Sequence, residues 1–177
     1  MELNTPLPGQ SSLNPSVREE QATEQYALVL QTLIAAFGER LKAVVLFGSY
    51  ARGEARPDSD HDLLVVIDNL PVDPVARQRL VRLVLLPILN RLPGAISLVA
   101  KTPQEVAANL TPLLLDICVD GLCLYGASYF DPYRYRGLTA LRQSKLRRQR
   151  VGGILMWLAP SVTRNWELGW EGYFEHQ

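Results

Sequence analysis

Histidine, cysteine and methionine are scarce in this 177-residue chain, with two of each, and the scarcity excludes whole classes of chemistry. Cys118 and Cys123 are one pair at most, which is no framework for a disulfide-rich secreted fold; in an apolar stretch they read as buried thiols. With His61 and His176 as the only histidines, a zinc site of imidazole and thiolate ligands has almost nothing to build from, so any metal must be held by carboxylates. No apolar run approaches the ~18 residues of a membrane span. The opening MELNTPLPGQSSLN lacks the basic and apolar segments of a signal peptide, so the expectation is a soluble, cytoplasmic chain with no membrane partner.

Net charge is missing too, because 18 basic residues balance 18 acidic ones, but the balance is uneven along the chain. Residues 132–166 carry eight basic side chains and no acidic one, and residues 167–177 add three glutamates. A solvated face or an acidic partner surface explains such a run, and an RNA-binding edge is a further reading. What is present is a globular composition, 47% hydrophobic and 20% charged with a mean hydropathy of +0.01. The length suits one domain with a sizeable core.

Residues 1–15, rich in Pro, Ser and Asn, read as a flexible tail. Tyr26, Val29, Leu30, Leu33, Ile34 and Phe37 then form one helical stripe that Gly38 can end. AVVLF (43–47) and LLVVI (63–67) are β-branched apolar runs of buried strands, AISLVA (95–100) is a third strand and LCLY (122–125) a fourth. Asp73-Pro74 opens a helix to about Leu92, bent at Pro87, and Thr102-x-x-Glu105 has the spacing of a capping box. Thr111-Pro112 starts a helix that ends before Gly121. From 127 the pattern is less regular. Leu138, Leu141 and Leu146, interleaved with Arg142, Lys145, Arg147, Arg148 and Arg150, suggest a basic amphipathic helix ending near Gly152-Gly153, followed by a tail containing Trp157, Trp166 and Trp170. The fold class expected is α/β of the α+β type, a small mixed sheet with helices on one face. It divides into a nucleus over 16–126 and a C-terminal extension over 127–177, the latter packed on the former.

Chemistry concentrates in VVLFGSYARGEARPDSDHDLLVVI (44–67). Alternation along a strand places Asp60 and Asp62 on one face and His61 on the other. Two carboxylates ~4 Å apart repel by roughly 4 kcal/mol at an effective dielectric of 20, so the pair favours a divalent cation or a shared proton. Hard oxygen ligands of this kind suit Mg²⁺, which bridges to substrate phosphates. Gly48 and Ser49, where a strand turns into a helical segment, can offer N–H groups and a hydroxyl to phosphate oxygens.

Gly48-Ser49, ten intervening residues and Asp60-His61-Asp62, with Ala51-Arg52-Gly53 in the spacer and Ser59 before the first aspartate, resembles the signature of the DNA polymerase β-like nucleotidyltransferase superfamily. Within it the segment looks most like the minimal nucleotidyltransferases, often paired as antitoxins with HEPN proteins. The resemblance implies the polymerase β-like fold, Asp60 and Asp62 as catalytic and metal-binding carboxylates, and Gly48, Ser49, Arg52 and Ser59 as the nucleotide-binding set. It also implies Mg²⁺, in a site able to take two ions, and ATP or another nucleoside triphosphate as substrate. The activity implied is transfer of AMP to a protein hydroxyl, with a HEPN toxin as partner. Family members carry a third carboxylate on the next strand, where this sequence has Ser97. A catalytically weak nucleotide-binding or antitoxin module is therefore the alternative function, and an aminoglycoside-modifying transferase a third. Arg52 and Arg56 can neutralise phosphate or pair with Glu54 and Asp58. His61 faces the core, and Asp116, in LLLDICV, reads as a paired buried carboxylate, a surface charge or a distant substitute for the missing acid.

Overall fold

The computed structural model describes residues 14–92, 94–159 and 165–176. Most of the expected tail lies outside them, but α1 (Pro15–Gln25) already begins at Pro15, with the Asn14 side chain accepting from the Ser16 N–H. Tyr26 separates α1 from α2 (Ala27–Phe37), which is the helix expected from the Tyr26-to-Phe37 stripe and ends at Gly38.

Four strands follow the apolar runs: β1 (Leu41–Phe47), β2 (His61–Ile67), β3 (Ile96–Lys101) and β4 (Leu122–Tyr125). The sheet order is β3-β2-β1-β4, with β1 antiparallel to both neighbours and β2 parallel to β3. Between β1 and β2 lies the short α3 (Gly48–Arg52), and the parallel crossover to β3 runs through α4 (Pro74–Leu85) and a 3₁₀ turn over 86–91 that contains Pro87. α5 (Pro103–Ala108) and α6 (Pro112–Asp120) then lead to β4.

The mixed α/β class is as expected, but helices cover both faces of the sheet rather than one. Val44, Leu46, Leu63, Val65 and Ile67 pack with α1, α2 and α4, while Ala43, Val45, Leu64 and Val66 pack with α5, α6 and α7 (Ala127–Gln143). The cause is visible in the strands themselves: AVVL and LLVVI have no polar alternate, so neither face can be left to water.

The basic helix expected over 138–150 is a second correction. α7 ends at Gln143, and Arg147–Val151 is a strand, β5, paired antiparallel with β6 (Ile154–Leu158). Val151 faces Ile154 across a two-residue turn of Gly152 and Gly153, both at positive φ, the geometry that favours paired glycines in tight hairpins. A second hairpin, β7 (Asn165–Gly169) and β8 (Gly172–His176), is anchored by the buried Trp170, whose indole N–H donates to the Val106 carbonyl at 2.7 Å. Cys118 and Cys123 are free, buried thiols; burial pushes Cys118 up to about 12 and Cys123 to about 11. No helix among the described residues is long and apolar enough to cross a membrane.

Candidate active site

The β1–α3–β2 unit brings the separated halves of the motif together. In the antiparallel ladder Phe47 lies opposite Asp62, so the residue after Phe47 arrives beside that carboxylate. Gly48 sits at φ +73°, and a Cβ there would fall 2.2 Å from Asp62 Oδ2. Only glycine can hold both the backbone conformation and the approach. Gly53, also at φ +73°, ends α3, and the Ser49 carbonyl accepts from the Glu54 N–H at 2.9 Å.

The parity of β2 separates its side chains as the alternation predicts. His61 shares its side with Leu63, Val65 and Ile67, whereas Asp62 shares its side with Leu64 and Val66. His61 is 1% exposed, stacked on Tyr50 at 3.8 Å between ring centroids and hydrogen-bonded through Nδ1 to the Tyr26 hydroxyl. Burial lowers the His61 pKa, against the opposing pull of Asp60 and Asp62. Burial also raises the Tyr26 hydroxyl, as do Tyr50 and Asp62. His61 is therefore a core group that ties α3, β2 and the α1–α2 junction together.

Asp60 is exposed just before β2, and Asp62 is half-buried. Burial raises the Asp62 pKa, a hydrogen bond from Ser97 lowers it, the charge of Asp60 raises it and that of Arg52 lowers it. Ser97 occupies the position directly across the parallel ladder from Asp62. It thus stands where a third acid would complete a carboxylate cluster, and supplies a hydroxyl donor instead. Among the described residues no group of three or more His, Cys, Asp or Glu is arranged to hold a metal.

Of the other residues singled out in the sequence, Arg52 donates from Nε to Glu54 at 2.9 Å and lies 3.9 Å from Asp120. The Ser59 hydroxyl accepts from the Arg56 N–H at 2.9 Å and holds the turn before Asp60. Asp116 is a paired, partly exposed carboxylate: Arg148 reaches it at 3.1 Å and the Trp157 indole N–H donates to it at 2.9 Å. Burial still leaves its pKa raised. Sequence reasoning missed Tyr26, Tyr50, Asp120, Arg148 and Arg150 as neighbours of the site. For the two arginines the signal was Val-Gly-Gly-Ile, a tight-hairpin turn that converts the basic run into a strand with alternate residues facing the domain.

Chemically the arrangement presents two hard carboxylate donors at i and i+2, a glycine that permits close approach to one of them, and a nearby guanidinium. A nucleotidyltransferase-domain family model matches residues 30–90, the segment from α2 through β1, α3, β2 and α4. The chain is 34% identical over 102 residues to "Putative protein adenylyltransferase MJ1305" of Methanocaldococcus jannaschii, covering 57% of this chain and 69% of that protein. It is 38% identical over 52 residues to "Putative protein adenylyltransferase MJ0604" of the same organism, covering 29% of this chain and 49% of that one. Among solved structures, a toxin-antitoxin with AMP-PNP aligns over 68% of this chain and 92% of its own, at 19% identity and a TM-score of 0.40. With the family match lying across the Gly-Ser and Asp-x-Asp elements, and a relative matched over more than two thirds of its length, the chain belongs to the nucleotidyltransferase-domain family.

Proposed function

We propose that this chain is a divalent-metal-dependent adenylyltransferase that moves AMP from ATP to a protein hydroxyl, through a site built on Gly48, Ser49, Asp60 and Asp62. The observation that carries the reading is the packing of Gly48 against Asp62, which brings a turn able to cradle phosphate beside one carboxylate of the Asp60-x-Asp62 pair. The pair fits Mg²⁺ by its chemistry: both donors are carboxylate oxygens, and burial together with the charge of Asp60 works against the ionised form of Asp62, a penalty that a cation relieves. Asp60 and Asp62 would hold the ion, which would supply charge neutralisation and orientation for the triphosphate. Arg52 adds a second positive charge within reach of the same volume, and Ser59 shapes the loop that carries Asp60.

In the reaction the acceptor oxygen forms a bond to the α-phosphorus as the bond from that phosphorus to the bridging oxygen breaks. Pyrophosphate departs, and the hydroxyl proton passes to water. Proton removal is the step this chain serves least, because Ser97 stands where a third carboxylate would. General-base assistance contributes typically 10² to 10⁴-fold, so intrinsic transfer is slow. A HEPN toxin is the acceptor class that the motif resemblance implies, and it is the first candidate to assay. Ser97 also favours a second reading, a module that binds nucleotide and partner with little turnover. One series separates the two. Ser97→Asp should raise AMP transfer while Asp62→Asn abolishes it; nucleotide binding without transfer in both the native chain and Ser97→Asp establishes the module.

A further inference from the structure

Arg52 closes α3, the helical turn that Gly48 opens, yet its guanidinium is hydrogen-bonded to Glu54 at 2.9 Å and lies 3.9 Å from Asp120. An arginine hydrogen-bonded to one carboxylate and close to a second is a poorer phosphate ligand, because a triphosphate must compete with both charges. Both carboxylates, however, have a second partner, and both partners come from the C-terminal hairpin. Arg150 Nη2 donates to both oxygens of Glu54, at 2.9 and 2.8 Å. Arg148 Nη1 lies 2.6 Å from Asp120, and its Nη2 lies 3.1 Å from Asp116 while the guanidinium covers the Trp157 ring at 5.5 Å. The side chains of Arg148 and Asp120 are only 15% and 10% exposed, so water does little to screen that pair. Arg148 and Arg150 share one face of β5, and with Arg52 they form three cations set against Glu54, Asp116 and Asp120.

We infer that the β5–β6 hairpin sets the affinity of the site for a nucleoside triphosphate by neutralising Glu54 and Asp120, which leaves Arg52 available to the phosphates. The inference rests on the nucleotide reading given above. Arg148 and Arg150 are positioning residues that act through Arg52 and need not touch the nucleotide. Without Arg150, Glu54 bears on Arg52 alone. Without Arg148, the pair Asp116 and Asp120 draws Arg52 inward from its 3.9 Å separation. Either change withdraws the guanidinium from the triphosphate, and removing the carboxylate charge as well should restore it.

The test is calorimetric binding of ATP with Mg²⁺, and of inorganic tripolyphosphate with Mg²⁺, to the full chain and its variants. Arg150→Ala lies in an exposed pair and leaves the fold intact. It should weaken both probes by up to about fivefold, the range that a partly exposed ion pair spans. Arg150→Ala combined with Glu54→Gln should return to native affinity, and so should Arg148→Met combined with Asp120→Asn. Unchanged binding in Arg150→Ala overturns the inference. A double variant as weak as Arg150→Ala also overturns it, since Arg150 would then be contacting the phosphates itself. Asp62→Asn, run alongside, separates the two levels: ATP binding that ignores Asp62→Asn overturns the site itself, whereas binding lost in Asp62→Asn but unmoved by Arg150→Ala overturns the hairpin's role alone.

Discussion

At Gly48 a backbone requirement and a packing requirement coincide. Positive φ costs an L residue about 1–2 kcal/mol, and a methyl group would overlap the Asp62 carboxylate besides. Gly48→Ala should therefore displace Asp62, lower stability in urea by at least that amount and lose Mg²⁺-ATP binding; native affinity in the alanine variant would contradict the packing. Asp62 carries the opposite sign of effect. Its folded pKa is raised, so between the unfolded value near 3.8 and the folded one the native state holds the extra proton, and stability falls as pH rises through that window. At neutral pH the ionised Asp62 costs stability, and Asp62→Asn should melt higher than the native chain while binding ATP worse. His61 is depressed by burial, so the unfolded chain takes up its proton first: stability is lost as pH falls below about 6.5 and stops falling below the folded pKa. A thermal-melting series from pH 7.5 to 5 should show this loss in the native protein and a shallower one in His61→Gln. The approach of Gly48 to Asp62 was legible because it follows from spacing along two strands. The partners of His61 were not, since Tyr26 and Tyr50 reach it from separate elements.

Among the elements, α5 shows how a local signal becomes a tertiary one. Thr102 accepts from the Glu105 N–H at 3.2 Å and Glu105 accepts from the Thr102 N–H at 2.9 Å, the reciprocal capping box anticipated from Thr102-x-x-Glu105. Glu105 also takes both Nη1 contacts of the buried Arg77, at 2.6 and 2.7 Å. Thr102→Ala should cost about 1 kcal/mol, the value of a cap, and Glu105→Ala about 1.5–3 kcal/mol, because it removes the charged partner of the buried Arg77, whose other N–H groups donate to the Pro71 and Val72 carbonyls. Denaturant unfolding decides the order, and equal costs would contradict it. Strands β1 to β4 were readable because they are short apolar runs bounded by turn residues, Gly48 after β1, Asp68-Asn69 after β2, Pro93-Gly94 before β3 and Gly121 and Gly126 around β4. The basic segment was misread because Leu138, Leu141 and Leu146 keep a helical period past the true end of α7 at Gln143, while the turn of Gly152 and Gly153 signals a hairpin only when the flanking residues are read at a period of two. Arg148 faces the domain only in the second reading.

For the whole molecule, the segregation of charge along the sequence resolves into pairing within the fold. Arg134 reaches Glu19, Arg148 reaches Asp116 and Asp120, Arg150 reaches Glu54 and Arg136 reaches Glu171. The acidic surface that the basic run suggested is in large part this chain's own. The C-terminal hairpins are thereby tied to the same side of the sheet as Asp62, on the face lined by α5, α6 and α7. Continuous apolar strands made the sheet legible, but which helices cover which face depends on the crossovers, and no spacing in the sequence encodes that. If Asp60 and Asp62 carry nucleotidyl transfer, the position of an isotopic label tests it most directly. The full chain is incubated with Mg²⁺, a HEPN acceptor protein and ATP labelled at either the α- or the γ-phosphate. Label should reach the acceptor from the α-position only, with release of pyrophosphate, and should disappear in Asp62→Asn and with chelator; transfer of the γ-label, or α-label transfer that survives Asp62→Asn, would contradict the account.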